Sequence, residues 1–120
     1  MTPAEINQAI ARGMGRTVGS VKDIYGQAVA VIIDTTFPSG HRHLPNYYDS
    51  VDASLTGPME WLRERGWCWA EIRQWPCDQG LEWTATVMHF AVGNSHTGSA
   101  TTVSAALALA ILAAMKATNE

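Results

Sequence analysis

Charge is scarce in this chain: 16% of its 120 residues are charged, against about 25% in an average globular domain. A surface so poor in charge must cover or share apolar area. Basic charge is scarcer still, with eight Lys and Arg against eleven Asp and Glu and a net charge of −3. That balance excludes the broad positive field with which proteins neutralise the many phosphates of duplex DNA or RNA. It leaves room for a local site, where one or two Arg side chains take a single small phosphorylated ligand. Cysteine is nearly absent: Cys68 and Cys77 form neither a zinc pattern nor a disulfide framework. No basic-then-apolar leader opens the chain, so a reduced, intracellular setting is expected. The most apolar stretch, Val103 to Met115, is too short and too rich in Ala for a membrane span of about 20 residues.

What remains is the material of one domain over residues 1–120, with 47% hydrophobic residues and one core burying roughly two-thirds of the unfolded surface. Thr2-Pro3-Ala4-Glu5 has the form of a helix start, with a capping hydroxyl, a proline that forfeits no hydrogen bond and an acidic capping-box partner. Ile6, Ile10 and Met14 recur on one face, and a stop is expected near Gly13 or Gly15. Residues 17–26 show little pattern and read as loop or a short irregular element. From Gln27 to Thr36 the β-branched run Val29, Val31, Ile32 and Ile33 predicts a largely buried strand. Pro38 to Asp49 reads as a chemically rich loop. Gly57-Pro58 divides the next helical region into a short turn over Val51–Leu55 and a main helix from Pro58, with Met59 and Leu62 inward, Arg63 to Arg65 solvated and Gly66 closing it.

Trp67 to Trp75 alternates as a strand does, which places Trp67, Trp69, Glu71, Arg73 and Trp75 on one face and Cys68, Ala70, Ile72 and Gln74 on the other. Pro76 to Gly80 is of hairpin-turn length, and Leu81 to Val92 returns antiparallel. The Ala- and Leu-rich stretch from Thr101 to Ala117 is a strong helix, apolar around most of its circumference. Such a helix needs cover on more than one side, and a neighbouring subunit is one candidate, which makes a homo-oligomer through this helix an expectation. The order α-β-α-β-β-α predicts an α+β fold, an antiparallel or mixed sheet packed by helices.

Two polar segments could carry chemistry. Gly93 to Thr102 contains Asn94, His96, Ser99 and Thr101 ahead of the strong helix, the ingredients of an anion pocket. Helix capping by Ser99, Thr101 or Thr102 over a solvated loop accounts for the same residues. Gly40 to Asp49 offers the Arg42 guanidinium, His43, and the rings of Tyr47 and Tyr48 for stacking. A connection whose tyrosines pack on the sheet accounts for these too. His41 and His43 have the spacing of paired metal ligands, yet no carboxylate or thiolate completes a site, so no metal and no cofactor are expected. No nucleophile elbow or paired carboxylates at helical spacing accompany His89 and His96, which favours a binding module over an enzyme.

Residues Leu44-Pro45-Asn46-Tyr47-Tyr48-Asp49, followed by Val51, Ala53, Met59, Leu62 and Gly66, resemble the phage ABA sandwich domain, a family of small α/β/α proteins. The opening Met1 to Asn7, the strand ending in Ala91, Thr101-Thr102 and the alanines at 106, 110 and 113 are similar to it too. The resemblance spans roughly residues 1–15 and 44–117. It implies a phage protein acting in the cytoplasm of an infected bacterium. Domains of this look include Thoeris anti-defence 1-like sponges, oligomers that hold cyclic nucleotide immune signals without cleaving them. On that reading Arg42, His43, Tyr47, Tyr48, Asn94, His96, Ser99 and Thr101 line a ligand pocket between subunits. A protein-interaction inhibitor or structural phage factor, and a small nucleotide hydrolase using His43 or His96, are the alternatives.

Overall fold

A computed structural model describes residues 1–78 and 80–120. The chain runs through α1 (Pro3–Gly13), β1 (Val18–Lys22), β2 (Ala28–Ile33), β3 (His41–His43), α2 (Val51–Thr56), α3 (Pro58–Arg63), β4 (Trp67–Cys77), β5 (Gly80–His89), β6 (Ser95–Ala100) and α4 (Val103–Asn119). The α+β class holds, with the strands divided between two three-stranded antiparallel sheets, β1-β2-β3 and β4-β5-β6. Every pairing is antiparallel.

The helix signals act where the residues place them. The Thr2 hydroxyl accepts from the Glu5 N–H and caps α1, whose Ile6 and Ile10 are buried. Ser50 and Thr102 cap α2 and α4 in the same way, through the Ala53 and Ala105 N–H groups. Gly57-Pro58 separates α2 from α3, and Met59 and Leu62 are fully buried. Gly66 turns the chain with φ +94°, and a Cβ there would meet the His89 ring at 2.6 Å.

Three stretches expected as loop are strands. Residues 18–22 pair with β2, residues 41–43 extend that sheet, and residues 95–100 form the edge strand beside β5. The last has tertiary causes. Gly98 lies against the backbone of α4, where a Cβ would overlap the Ala106 carbonyl oxygen and come within 2.8 Å of the Leu109 Cβ. Only a residue without a side chain lets helix and strand approach so closely. In β2, Val31 and Ile32 are buried while Val29 and Ile33 remain partly exposed, so that strand is covered at one end alone. Of the expected turn over 76–80, Pro76 and Cys77 belong to β4, Gly80 opens β5 with φ +122°, and Gln79 lies outside the described residues.

The bulge between Trp69 and Glu71 corrects a second expectation. Trp69 stands opposite Val87 and Glu71 opposite Thr86, so one residue, Ala70, is extra. Trp67 and Trp69 therefore share the helix-facing side with Val87, whereas Glu71, Arg73 and Trp75 point to the opposite face with Thr84 and Thr86. A strict two-residue alternation cannot reveal that switch.

The helix α4 is the centre of the molecule. Sheet residues Ala85, Val87 and Gly98 pack on one side of it, and α1, α2 and α3 contact it elsewhere. Nine of its residues, from Ala105 to Met115, are buried within a single copy. Its apolar circumference is thus accounted for inside one chain, and the reason for placing a subunit contact on this helix falls away. With 17 residues, neither it nor any other helix among the described residues is long and apolar enough to cross a membrane.

Candidate functional site

A cleft of about 590 Å³ opens between the end of α1, the β3 segment and the α2–α3 junction. The chain brings it together from three places. Met14 and Arg16 come from the exit of α1, Arg42, Pro45 and Tyr47 from β3 and its continuation, and Ala53, Thr56, Gly57, Glu60, Trp61 and Glu64 from α2 and α3.

Each group is positioned by local chemistry. Arg42 stands opposite Ile32 in the β2–β3 ladder, and its Nε donates to Asp34 Oδ2 at 3.3 Å. Asp34 is itself held by the Thr36 hydroxyl and N–H at 2.6 and 3.0 Å. These hydrogen bonds, then the positive charges of Arg42 and Arg16, hold the Asp34 carboxyl below its ordinary range. The Tyr47 turn is clipped to α1: Asn7 donates to Asn46 Oδ1 at 3.0 Å and accepts from the Tyr48 N–H at 2.9 Å. Buried Ser54 then donates to the Tyr47 carbonyl at 3.1 Å. Burial raises the Tyr47 hydroxyl, and Arg42 and Arg16 act in the opposite direction, so two guanidiniums bear on this one phenol. Trp61 carries the Arg65 guanidinium over its ring at 3.7 Å.

The lining mixes three chemistries. Arg16, Arg42 and the Tyr47 hydroxyl offer donors to an anion, Glu60 and Glu64 offer acceptors for hydroxyl or amino groups, and Trp61 and Met14 supply apolar surface.

Of the eight site residues expected from sequence, two meet here: Arg42 and Tyr47. His43 is exposed on the other face of its sheet, opposite Val31. Tyr48 is half-buried against the core. Asn94 lines a separate cavity of about 290 Å³ with Arg65, Trp67, His89 and Thr118. His96 leans on Trp67 with ring centroids 5.5 Å apart. Ser99 is an exposed strand residue opposite Thr84, and Thr101 lines a third depression with Cys77, Leu81 and Glu82. Within one chain the two segments line different cavities. Residues 95–100 are committed to a sheet edge, so they cannot form the loop at a helix start that an anion pocket there requires. The N–H groups that open α4 are met in part by the Thr102 cap.

Sequence reading missed Arg16, Glu60, Trp61 and Glu64. Arg63 to Arg65 are exposed, as expected of a solvated end, and from there Glu64 lines the cleft and Arg65 lies over the Trp61 ring. No spacing rule joins residues 16, 42 and 61, because only the fold makes them neighbours.

No family model, curated protein or solved structure matches this chain. Function must therefore be read from side-chain geometry.

Proposed function

We propose that this chain is a phage anti-defence protein that binds a cyclic nucleotide immune signal and keeps it from its receptor without cleaving it. The observation that carries the reading is the convergence of Arg16 and Arg42 with Tyr47 and Trp61 in one cleft. A phosphate fits the guanidinium groups, since Arg presents a planar fork of donors to phosphate oxygens. A nucleobase or ribose fits the remaining lining, with Glu60 and Glu64 accepting from amino or hydroxyl groups and Trp61, whose ring already carries Arg65, adding apolar surface. The volume lies within the usual 300–1,000 Å³ of small-molecule sites. The phage setting, in the cytoplasm of an infected bacterium, rests on the sequence resemblance alone.

The test is to mix the protein with a panel of cyclic mono- and dinucleotides, remove free ligand, denature by heat and analyse what is released. Recovery of intact cyclic nucleotide supports sequestration. Linearised product would favour the hydrolase reading instead, and no retention of any panel member would defeat both.

A second reading, a protein-interaction inhibitor, is favoured by the β1–β2 turn. Ile24 and Tyr25 at its tip are 91% and 83% exposed. Neither side chain is covered by the rest of the chain, so both are available to a partner. A host protein co-purifying with the wild type, and lost on Tyr25→Ser, would move the function there.

A further inference from the structure

The surface is larger than a chain of this size needs. Its accessible area is 7106 Å², against about 6,300 Å² expected for a compact monomer of this mass. The radius of gyration is 15.4 Å, against about 14 Å for a compact 120-residue domain. In the far half of β4 and at the start of β5, every described residue from Ala70 to Leu81 is exposed. Ile72 and Trp75 are 47% and 44% exposed there.

The strand β4 is an edge strand, and its free backbone groups can be identified. His89 N–H donates to the Asn94 carbonyl and Gly93 N–H to the His89 carbonyl, so odd-numbered residues of β5 direct their backbone to β6. Even-numbered ones face β4, as Phe90 does in donating to the Gly66 carbonyl. Thr86, Thr84 and Glu82 stand opposite Glu71, Arg73 and Trp75. Those three β4 residues use their backbone groups within the sheet, while Ile72, Gln74 and Pro76 present theirs to the open edge. Proline at such a position forfeits no ladder bond.

We propose that two copies of this chain pair their β4 strands antiparallel about a two-fold axis at Ile72, joining two three-stranded sheets into one of six strands. The charge pattern selects this register. An axis at Ile72 sets Glu71 of each copy opposite Arg73 of the other, both on the open face, as a non-hydrogen-bonded pair whose side chains lie close. Within one copy Arg73 already pairs with Glu71 and lies 5.0 Å over the Trp75 ring, so four charges of alternating sign come together. The two Ile72 side chains meet on the helix-facing side. An axis at Glu71 or Arg73 would oppose like charges, and one at Gln74 would require an N–H from Pro76. The bulge at Ala70 and the proline at 76 confine the contact to the segment between them. This interface is independent of the ligand cleft and leaves Arg42 and Trp61 open.

Sedimentation equilibrium of the full chain at low salt tests it. The wild type is expected to be dimeric and to dissociate on dilution. Glu71→Arg should weaken the dimer about 30-fold, since two cross-strand ion pairs become repulsive. The double variant Glu71→Arg with Arg73→Glu restores self-complementarity and should return the dissociation constant to within about threefold of wild type. Both positions are exposed, and circular dichroism checks that each variant is folded. A wild type monomeric at every concentration, a dimer indifferent to Glu71→Arg, or a folded double variant that stays monomeric would each overturn the proposal.

Discussion

The two sheets have the same form, three antiparallel strands in sequential order, and opposite dependence on the rest of the chain. The β4-β5-β6 sheet lies on α4 through Ala85, Val87 and Gly98, each of them buried. The β1-β2-β3 sheet is anchored at one end, where Ile32 joins the core, and projects at the other through Ile24 and Tyr25. The lesson is a division of labour. The sheet packed on α4 sets stability, and the sheet held at one end brings Arg42 to the cleft.

Substitutions can break that contrast, beginning with the deepest. Ile111→Ala, at a fully buried position of α4, should destabilise the fold by about 4 kcal/mol, read by denaturant titration. Gly98→Ala comes next at about 3 kcal/mol, because its Cβ meets helix backbone that cannot yield. A comparable loss is not expected anywhere in β1 or along the exposed part of β2. On the proposed function, Arg42→Ala should leave the midpoint nearly unchanged and weaken nucleotide binding about 30-fold, because a phosphate in the cleft would then lack a charge-assisted hydrogen bond, as calorimetry would register. If Arg42→Ala unfolds the protein instead, the division between the sheets is wrong.

Acid should act on the projecting sheet through Asp34. Its carboxyl is held below the ordinary range in the folded chain, first by Thr36 and then by Arg42 and Arg16. The ionised form thus favours folding above that range, and the contribution is lost as pH falls through the depressed folded value. Asp34→Asn should therefore flatten the stability profile below about pH 4, with thermal melts between about pH 2 and 6 as the measure. The smallest effect belongs to the projecting turn. Tyr25→Ser should change stability by less than about 0.5 kcal/mol.

The sequence was most informative where residues act locally. Thr2, Ser50 and Thr102 announce their helices by cap chemistry, and Gly57-Pro58 announces the break between α2 and α3. Alternation locates β4 and its return strand. It fails on facing, because the bulge at Ala70 inverts everything after it. The strand β6 was illegible because Ser95 to Ala100 carries no apolar period. It is a strand because β5 has an edge to fill and α4 requires a glycine at 98. The site was half legible: Arg42 and Tyr47 stand out as chemistry in a loop-like stretch, whereas Arg16 and Trp61 join them only through packing across 45 residues of chain.

The proposed function requires that one cleft, lined by Arg16, Arg42, Tyr47 and Trp61, hold the nucleotide. Nitrogen-15 correlation spectra recorded during titration with the tightest member of the cyclic nucleotide panel test this directly. The Trp61 indole N–H and the Arg42 and Tyr47 amides should shift together and saturate, while the Ser99 and Thr101 amides stay in place. Saturating shifts confined to residues 94–101, with the Trp61 indole unmoved, would contradict it.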